Sequence, residues 1–473
     1  MKHKIILKYR LLLFVLATSA VITVTAQQTY SANWNSLDAR PIPQWFKDAK
    51  LGIFIHWGVY SVPAWAPVGK DYATYSKYSE WYWNRMVMDS SKVGNAFRDF
   101  HNKSYGPNFK YQDFAPQFKA ELFNPDQWAD IFKNAGAQYV VLTSKHHDGF
   151  ALWPSAASWN WNSVDVGPHR DLAGDLTNAV KAKGLHMGFY YSLYEWFNPL
   201  YKSNVDKYVA EHMIPQLKDL VTRYKPDIIW PDGEWEYPSE TWKSQEFLAW
   251  LYNESAVKNS VVVNDRWGKE TRSKHGGYYT TEYDIVHNEN AADKKFEHPW
   301  EECRGIGGSF GYNRNENLAD YETSDALIKM LIQKVSRGGN LLLDIGPAAD
   351  GAIPVIMQQR LADLGAWLKI NGEAIYATTA GQQTFGKDVF STQKNGNVYL
   401  FITAPQDKPI MVNVPHKPSG VTMIGSDKKI KQSYKDGKLT ITPSDLYPNL
   451  PSGGYAWVVK VEVGINMGRL SNR

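Results

Sequence analysis

Short apolar runs that end in polar or aromatic residues recur along the chain, and amphipathic stretches with helical spacing lie between them. The runs LGIFIHWG (51–58), QYVVLTSKHH (138–147), HMGFYYSL (186–193), DIIWPDGE (227–234), SVVVNDRW (260–267) and GNLLLDIG (339–346) have the length and bounding residues of buried strands. Helices are predicted over Pro125 to Ala135, Asp171 to Lys183, Val205 to Arg223 and Ser324 to Ser336. The span from Trp267 to Gly339 has weaker signals, and Tyr278 to Glu282 and Trp300 to Cys303 are its candidate strands. Strands alternating with helices define an α/β fold with a parallel sheet. An open doubly wound sheet normally carries a glycine-rich phosphate turn after its first strand. Here that strand runs straight into His56-Trp57, which favours a (β/α)8-like TIM-type barrel. In such a barrel the functional face lies at the carboxyl ends of the strands, where these runs turn polar.

After Gly372 the helical periodicity fades, and short alternating segments such as NVYLFITA, PIMVNV, KLTITP and YAWVVKVEV follow one another between turn residues. This spacing predicts a C-terminal antiparallel β-sandwich. At the other end, the basic MKHKIILKYR precedes the apolar LLLFVLATSAVITVTA, with small residues at Val24 and Ala26. That is the build of a signal peptide cut after Ala26, with an uncleaved anchor as its rival. The expected organisation is a signal peptide over 1–26, a catalytic barrel over 27–376, a sandwich over 377–463 and a tail over 464–473. No later run is apolar enough to cross a bilayer, since Asp344 interrupts even GGNLLLDIGP. The mature chain is therefore expected to be exported and free of the membrane: periplasmic or extracellular in a bacterium, lysosomal or secreted in a eukaryote.

Composition narrows the chemistry. The 52 Lys+Arg balance 48 Asp+Glu, and no basic stripe is present, so nucleic acid is not an expected partner. Cys303 is the single cysteine and has no internal disulfide partner. Nothing near it forms a Cys-His pair, and a packed thiol is the expected role. The chain is rich in aromatics, with 19 Trp, 28 Tyr and 19 Phe, many of them near the strand ends. Any one of them is most simply a core residue. As a set clustered with His and carboxylates, they suit the apolar faces of a sugar.

Asp232 sits where the fourth strand opens onto the active face, a suitable place for one of the two carboxyl groups that glycoside hydrolysis requires. Pro231-Asp232-Gly233 is also an ordinary turn, and taken alone the turn reading prevails. His56, His146 and His147 end the first two strands, with Asp148 following. They can hydrogen-bond sugar hydroxyls or bind a metal ion. Adjacent strand residues point to opposite faces, so His146 and His147 are poorly placed to share an ion, and one of them is expected to pack behind the site. Arg266, at the end of the fifth strand, can keep a neighbouring carboxylate ionised or make a surface ion pair.

Together, LGIFIHWG, SKHHDGF, WPDGEW, VVVNDRWG, WEEC, GGNLLLDIGP and INGEAIY resemble the α-L-fucosidases of glycoside hydrolase family 29, in order from about Trp45 to Val463. The resemblance implies hydrolysis of terminal α-L-fucose from a fucosylated glycan with retained configuration, using neither metal nor other cofactor. It implies Asp232 as nucleophile, and His56, His146, His147, Tyr191, Arg266, Glu80 and Trp81 as sugar-pocket residues. Phe310 falls where the family places an aromatic against the fucose methyl. Glu282 in YYTTEYD matches the acid/base of one branch, Glu301 in PWEEC is its rival, and Asp284 is a weaker one. A glycosidase for α-L-galactose, a silent fucose-binding protein and a metal-dependent hydrolase are the competing functions. Homo-oligomer formation is compatible with the sequence, which does not specify linkage or aglycone.

Overall fold

The computed structural model describes residues 28–284, 298–381, 385, 388–442 and 455–464. The proposed signal peptide and nearly all of the proposed tail lie outside them. Eight parallel strands form one curled sheet. They are β1 (Leu51–Ile55), β2 (Tyr139–Lys145), β3 (His186–Ser192), β4 (Ile228–Asp232), β5 (Val262–Val263), β6 (Tyr279–Glu282), β7 (Trp300–Gly305) and β8 (Asn340–Ile345). Every predicted strand has its counterpart, including the two in the weakly patterned span. The hydrogen-bonded order is β5-β4-β3-β2-β1-β8-β7-β6. The two edges meet in a single parallel bridge, Asn264 to Tyr278, where the Tyr278 amide donates to the Val263 carbonyl at 3.1 Å.

Alternation sorts the strand residues. Phe54, Tyr139, Val141, Tyr190, Ile228, Trp230, Val262, Cys303 and Leu342 pack together inside the curl. Their neighbours, among them Ile53, Val140, Phe189, Tyr191, Ile229 and Leu343, face the surrounding helices. The strands β1, β2, β4, β5 and β8 are thus buried on both faces and read as largely apolar runs. The helices Pro125–Asn134, Leu172–Ala182 and Ser324–Ser336 lie within a residue or so of their predicted bounds. Each has a side chain accepting from the first turn, from Asn124, Asp171 and Thr323 respectively.

The helix expected over Val205 to Arg223 differs. Helical segments Val205–Tyr208 and Ile214–Tyr224 flank a π turn at Val209–Met213. Pro215 has no amide hydrogen to give the carbonyl four residues back, and the widened turn absorbs that defect. It sets His212 3.3 Å from Glu195, whose carboxylate takes a 2.6 Å bond from the fully buried Lys145.

Beyond the helix Val355–Asn371 the chain turns antiparallel. A five-stranded sheet contains β9 (Thr379–Ala380), β10 (Val389–Lys394), β11 (Asn397–Ile402), β13 (Gly420–Met423) and β16 (Trp457–Glu462). A three-stranded one contains β12 (Ile410–Asn413), β14 (Gln432–Lys435) and β15 (Lys438–Ile441). Leu400, Ile402 and Val459 of the first share an apolar cluster with Ile410, Val412 and Leu439 of the second. Phe401 and Tyr399 face the other way and join the barrel's outer core beside Trp367.

Candidate active site

A cavity of about 380 Å³ opens at the carboxyl ends of the barrel strands. Asp232 is the last residue of β4, and Gly233 follows with a φ of 77°. A side chain at 233 would be strained, and its Cβ would lie 2.6 Å from that of Tyr194. The turn reading and the site reading of Pro231-Asp232-Gly233 therefore describe one feature: the glycine lets the chain leave the strand abruptly, with the carboxylate left in the pocket.

Asp232 Oδ1 accepts from Arg266 Nη1 at 2.7 Å, and Oδ2 accepts from the Tyr190 hydroxyl at 3.0 Å. Arg272 Nη2 stands 3.6 Å from Oδ1. Burial alone would push this carboxyl up. The guanidinium charges of Arg266 and Arg272 outweigh it and hold the group below the usual carboxylate range. The same Arg266 reaches Glu282, with Nη2 3.3 Å from Oε2, while the Tyr78 hydroxyl donates to Oε1 at 3.0 Å. One guanidinium thus touches two carboxylates that end β4 and β6. It is fixed by a 3.0 Å bond from Nε to Thr280 Oγ1 and by the Trp230 ring, whose centroid lies 4.4 Å from Cζ. Cys303 Sγ is 3.8 Å from Arg266, and burial pushes its thiol well above the ordinary value, so it packs rather than reacts.

The histidines form the opposite wall. Burial drives His56 down to about 3 and His147 to about 4, and lowers His146 well below its ordinary value, so all three are neutral near pH 7. His56 Nδ1 lies 2.6 Å from Asp344 Oδ1, and the imidazole stacks on Phe310 at 4.9 Å. His147 Nδ1 lies 2.6 Å from Ser192 Oγ, whose own hydrogen goes to the Tyr194 carbonyl. His147 Nδ1 is therefore the donor, leaving Nε2 as an acceptor 4.0 Å from Asp232 Oδ2. Glu80 Oε2 accepts from the Gly311 amide at 2.9 Å and the Ser309 hydroxyl at 3.2 Å, bracing the loop that carries Phe310. Burial raises its carboxyl to about 7. Trp81 lines the mouth, edge-on to His147 at 5.1 Å.

Most of the expected residues converge here: Asp232, Glu282, His56, Glu80, Trp81, His146, His147, Arg266 and Phe310 all line the cavity. Three expectations need correction. His146 and His147 both face the cavity, because β2 ends at Lys145 after a register shift and strand alternation no longer applies. Tyr191 points outward, donating to Gln216 at 2.7 Å and lying under Lys145, while its neighbour Tyr190 lines the pocket. Glu301 is fully buried in the barrel interior, where it accepts from Tyr139 at 2.6 Å and Trp230 at 2.9 Å; burial raises its carboxyl to about 7. It braces the floor beneath the cavity. The sequence reading missed Tyr78, Trp230, Trp235 and Arg272, which line the site, and Asp344, which holds His56.

Paired carboxylates under aromatic walls at the mouth of a curled parallel sheet are the equipment of a glycoside hydrolase. The comparisons narrow the class. Residues 17–373 match the family model described as "Alpha-L-fucosidase". The rat tissue alpha-L-fucosidase is 45% identical over 469 residues, covering 95% of this chain and 96% of its own. The human tissue enzyme is 44% identical over 465 residues, covering 95% and 96%. Among solved structures, the alpha-fucosidase of Thermotoga maritima in complex with fucose superposes with a TM-score of 0.75 at 34% identity, covering 91% of this chain and all of that one. The chain belongs to the α-L-fucosidase family, glycoside hydrolase family 29.

Proposed function

We propose that the protein is a retaining exo-α-L-fucosidase that releases terminal fucose from glycans or glycoconjugates by double displacement. The observation that carries this reading is the Asp232–Arg266–Glu282 arrangement, in which one carboxylate is held ionised and the other stands across a shared guanidinium. In the first step Asp232 attacks the anomeric carbon, and Glu282, protonated, gives its proton to the leaving glycosidic oxygen. A fucosyl ester of Asp232 and the free aglycone result. Glu282, now a carboxylate, takes a proton from water as that water attacks the same carbon and expels Asp232.

His147 Nε2 supplies an acceptor for a sugar hydroxyl, and the Phe310 ring supplies an apolar wall for the methyl group of a 6-deoxy sugar. A 6-hydroxyl against that wall would lose its hydrogen bonds, which disfavours L-galactose. In this reading residues 27–376 form the catalytic unit, and residues 377–463 form a sandwich around the shared cluster of its two sheets. Residues 1–26 are a cleaved export signal. Among the described residues no helix is long and apolar enough to cross a membrane.

Azide rescue tests the assignment. Asp232→Gly is expected to lose activity on unactivated fucosides and, with an activated aryl fucoside and azide, to form the β-azide. Glu282→Ala is expected to form the α-azide. Normal turnover of unactivated fucosides by the Asp232 variant would overturn the proposal.

A further inference from the structure

A second hollow, of about 480 Å³, adjoins the mouth of the active-site pocket, and Trp235 and Arg272 line both. Trp235 is 39% exposed, and its ring lies 24° from the plane of Trp81 at a centroid distance of 6.2 Å. These indoles form an aromatic step where the pocket adjoins the hollow.

The charges around the hollow are unevenly matched. Its two carboxylates are both engaged. Glu234 pairs with Arg272, and Glu270 accepts from the Ser239 amide at 3.0 Å and from the Ser239 hydroxyl. Arg272 in turn serves Glu234 and Asp232. Lys269 and Lys274 are exposed. Among the described residues neither ammonium has an ion-pair or hydrogen-bond partner, and the three cations of the lining, Lys269, Arg272 and Lys274, outnumber its two carboxylates, Glu234 and Glu270.

We propose that this hollow is the subsite for the leaving-group sugar and that Lys269 and Lys274 make it selective for an aglycone bearing an anion, either a sulfate ester or a sugar carboxylate. The inference rests on the fucosidase reading and adds the substrate class that the site prefers. An ammonium on a flexible stem is a mobile point charge with three donors, suited to anions whose position varies among glycans. The apolar face of the same sugar can lie on Trp235. Each exposed lysine–anion pair is expected to change kcat/KM by about two- to fivefold, and salt should screen the effect.

The test compares kcat/KM on fucosylated oligosaccharides of one linkage whose aglycone is neutral, sulfated or carboxylated. It uses the wild-type chain, the Lys269→Ala/Lys274→Ala double variant and the charge-keeping Lys269→Arg/Lys274→Arg double variant. The anionic-to-neutral ratio is taken within each protein, so a general loss of activity cancels. The expected result is a ratio well above one in the wild type, close to one in the alanine variant and at high salt, and restored in the arginine variant. Selectivity for only one of the two anions would identify the source. A wild-type ratio of one, or a preference that survives the alanine substitutions, would overturn the proposal. Hydrolysis of an aryl α-L-fucoside by the wild type is scored separately, since its absence would refute the fucosidase reading instead.

Discussion

Arg266 is the residue on which most of the site's electrostatics converge, because its guanidinium pairs with both Asp232 and Glu282. Replacing it with glutamine removes the stronger-acting of the two guanidinium charges that keep Asp232 ionised against its burial. The acidic limb of the kcat/KM profile, where the nucleophile takes up its proton, is then expected to move to higher pH by about one unit or more, along with a loss of rate. A pH series on the Arg266→Gln variant measures this. Glu301 makes a different prediction. Its carboxyl is raised to about 7 in the folded chain and titrates near 4.3 when unfolded, so its contribution to stability is complete below the unfolded value and is lost as pH rises toward 7. Glu301→Gln, which can still accept from Trp230, is expected to flatten the fall in melting temperature over that window, as scanning calorimetry at several pH values would show. Much of the site was legible from the sequence because strand-end histidines and carboxylates stand out by residue type. Tyr190 and Tyr191 were not separable, since they differ only in facing, and facing depends on the register that pairs Tyr190 with Trp230 and Ser192 with Asp232. Asp344 could be read only as an interruption of an apolar run, because its partner His56 lies 288 positions away in sequence.

At the scale of elements, the strands with strong apolar runs were evident, while β6 and β7 carried little signal. Their sequences, YTTE and WEECRG, are polar because they hold Glu282 for the site, Glu301 for the barrel interior and Glu302 for a buried bond from Thr281 on the opposite face. Function thus removed the pattern that predicts a strand, whereas the π turn before Pro215 is a matter of the backbone, forced by a missing amide hydrogen. The join between β5 and β6 is the element most exposed to perturbation. A Cβ at Gly277 would stand 1.7 Å from the Val263 carbonyl oxygen, so the strands can approach there only because 277 has no side chain. Gly277→Ala is expected to push the edges apart and destabilise the fold by about 1–3 kcal/mol, the usual cost of overpacking. Denaturant unfolding measures that cost, and an unchanged midpoint would contradict the account.

Across the whole molecule, the barrel and the antiparallel region share more than a linker. Phe401 is buried with the barrel's outer core near Trp367, and Glu373 after the last barrel helix takes bonds from Lys460 at 2.6 Å and Tyr399 at 2.8 Å. Phe401→Ala is expected to cost about 3–5 kcal/mol and to lower a single, shared melting transition. Two separate transitions in calorimetry would show instead that the regions unfold independently. The seam closing the barrel has a wider consequence. Arg266 hangs from one side of it and Glu282 from the other, and beyond the lone bridge the two sides are stapled by Asp265, which accepts from the Thr280 amide at 3.1 Å and hydroxyl at 2.7 Å. Warming that loosens only this seam would pull the proton donor away from the nucleophile while every other strand stayed paired. Catalysis should fade several degrees before the chain melts, a failure of alignment that cooling would repair.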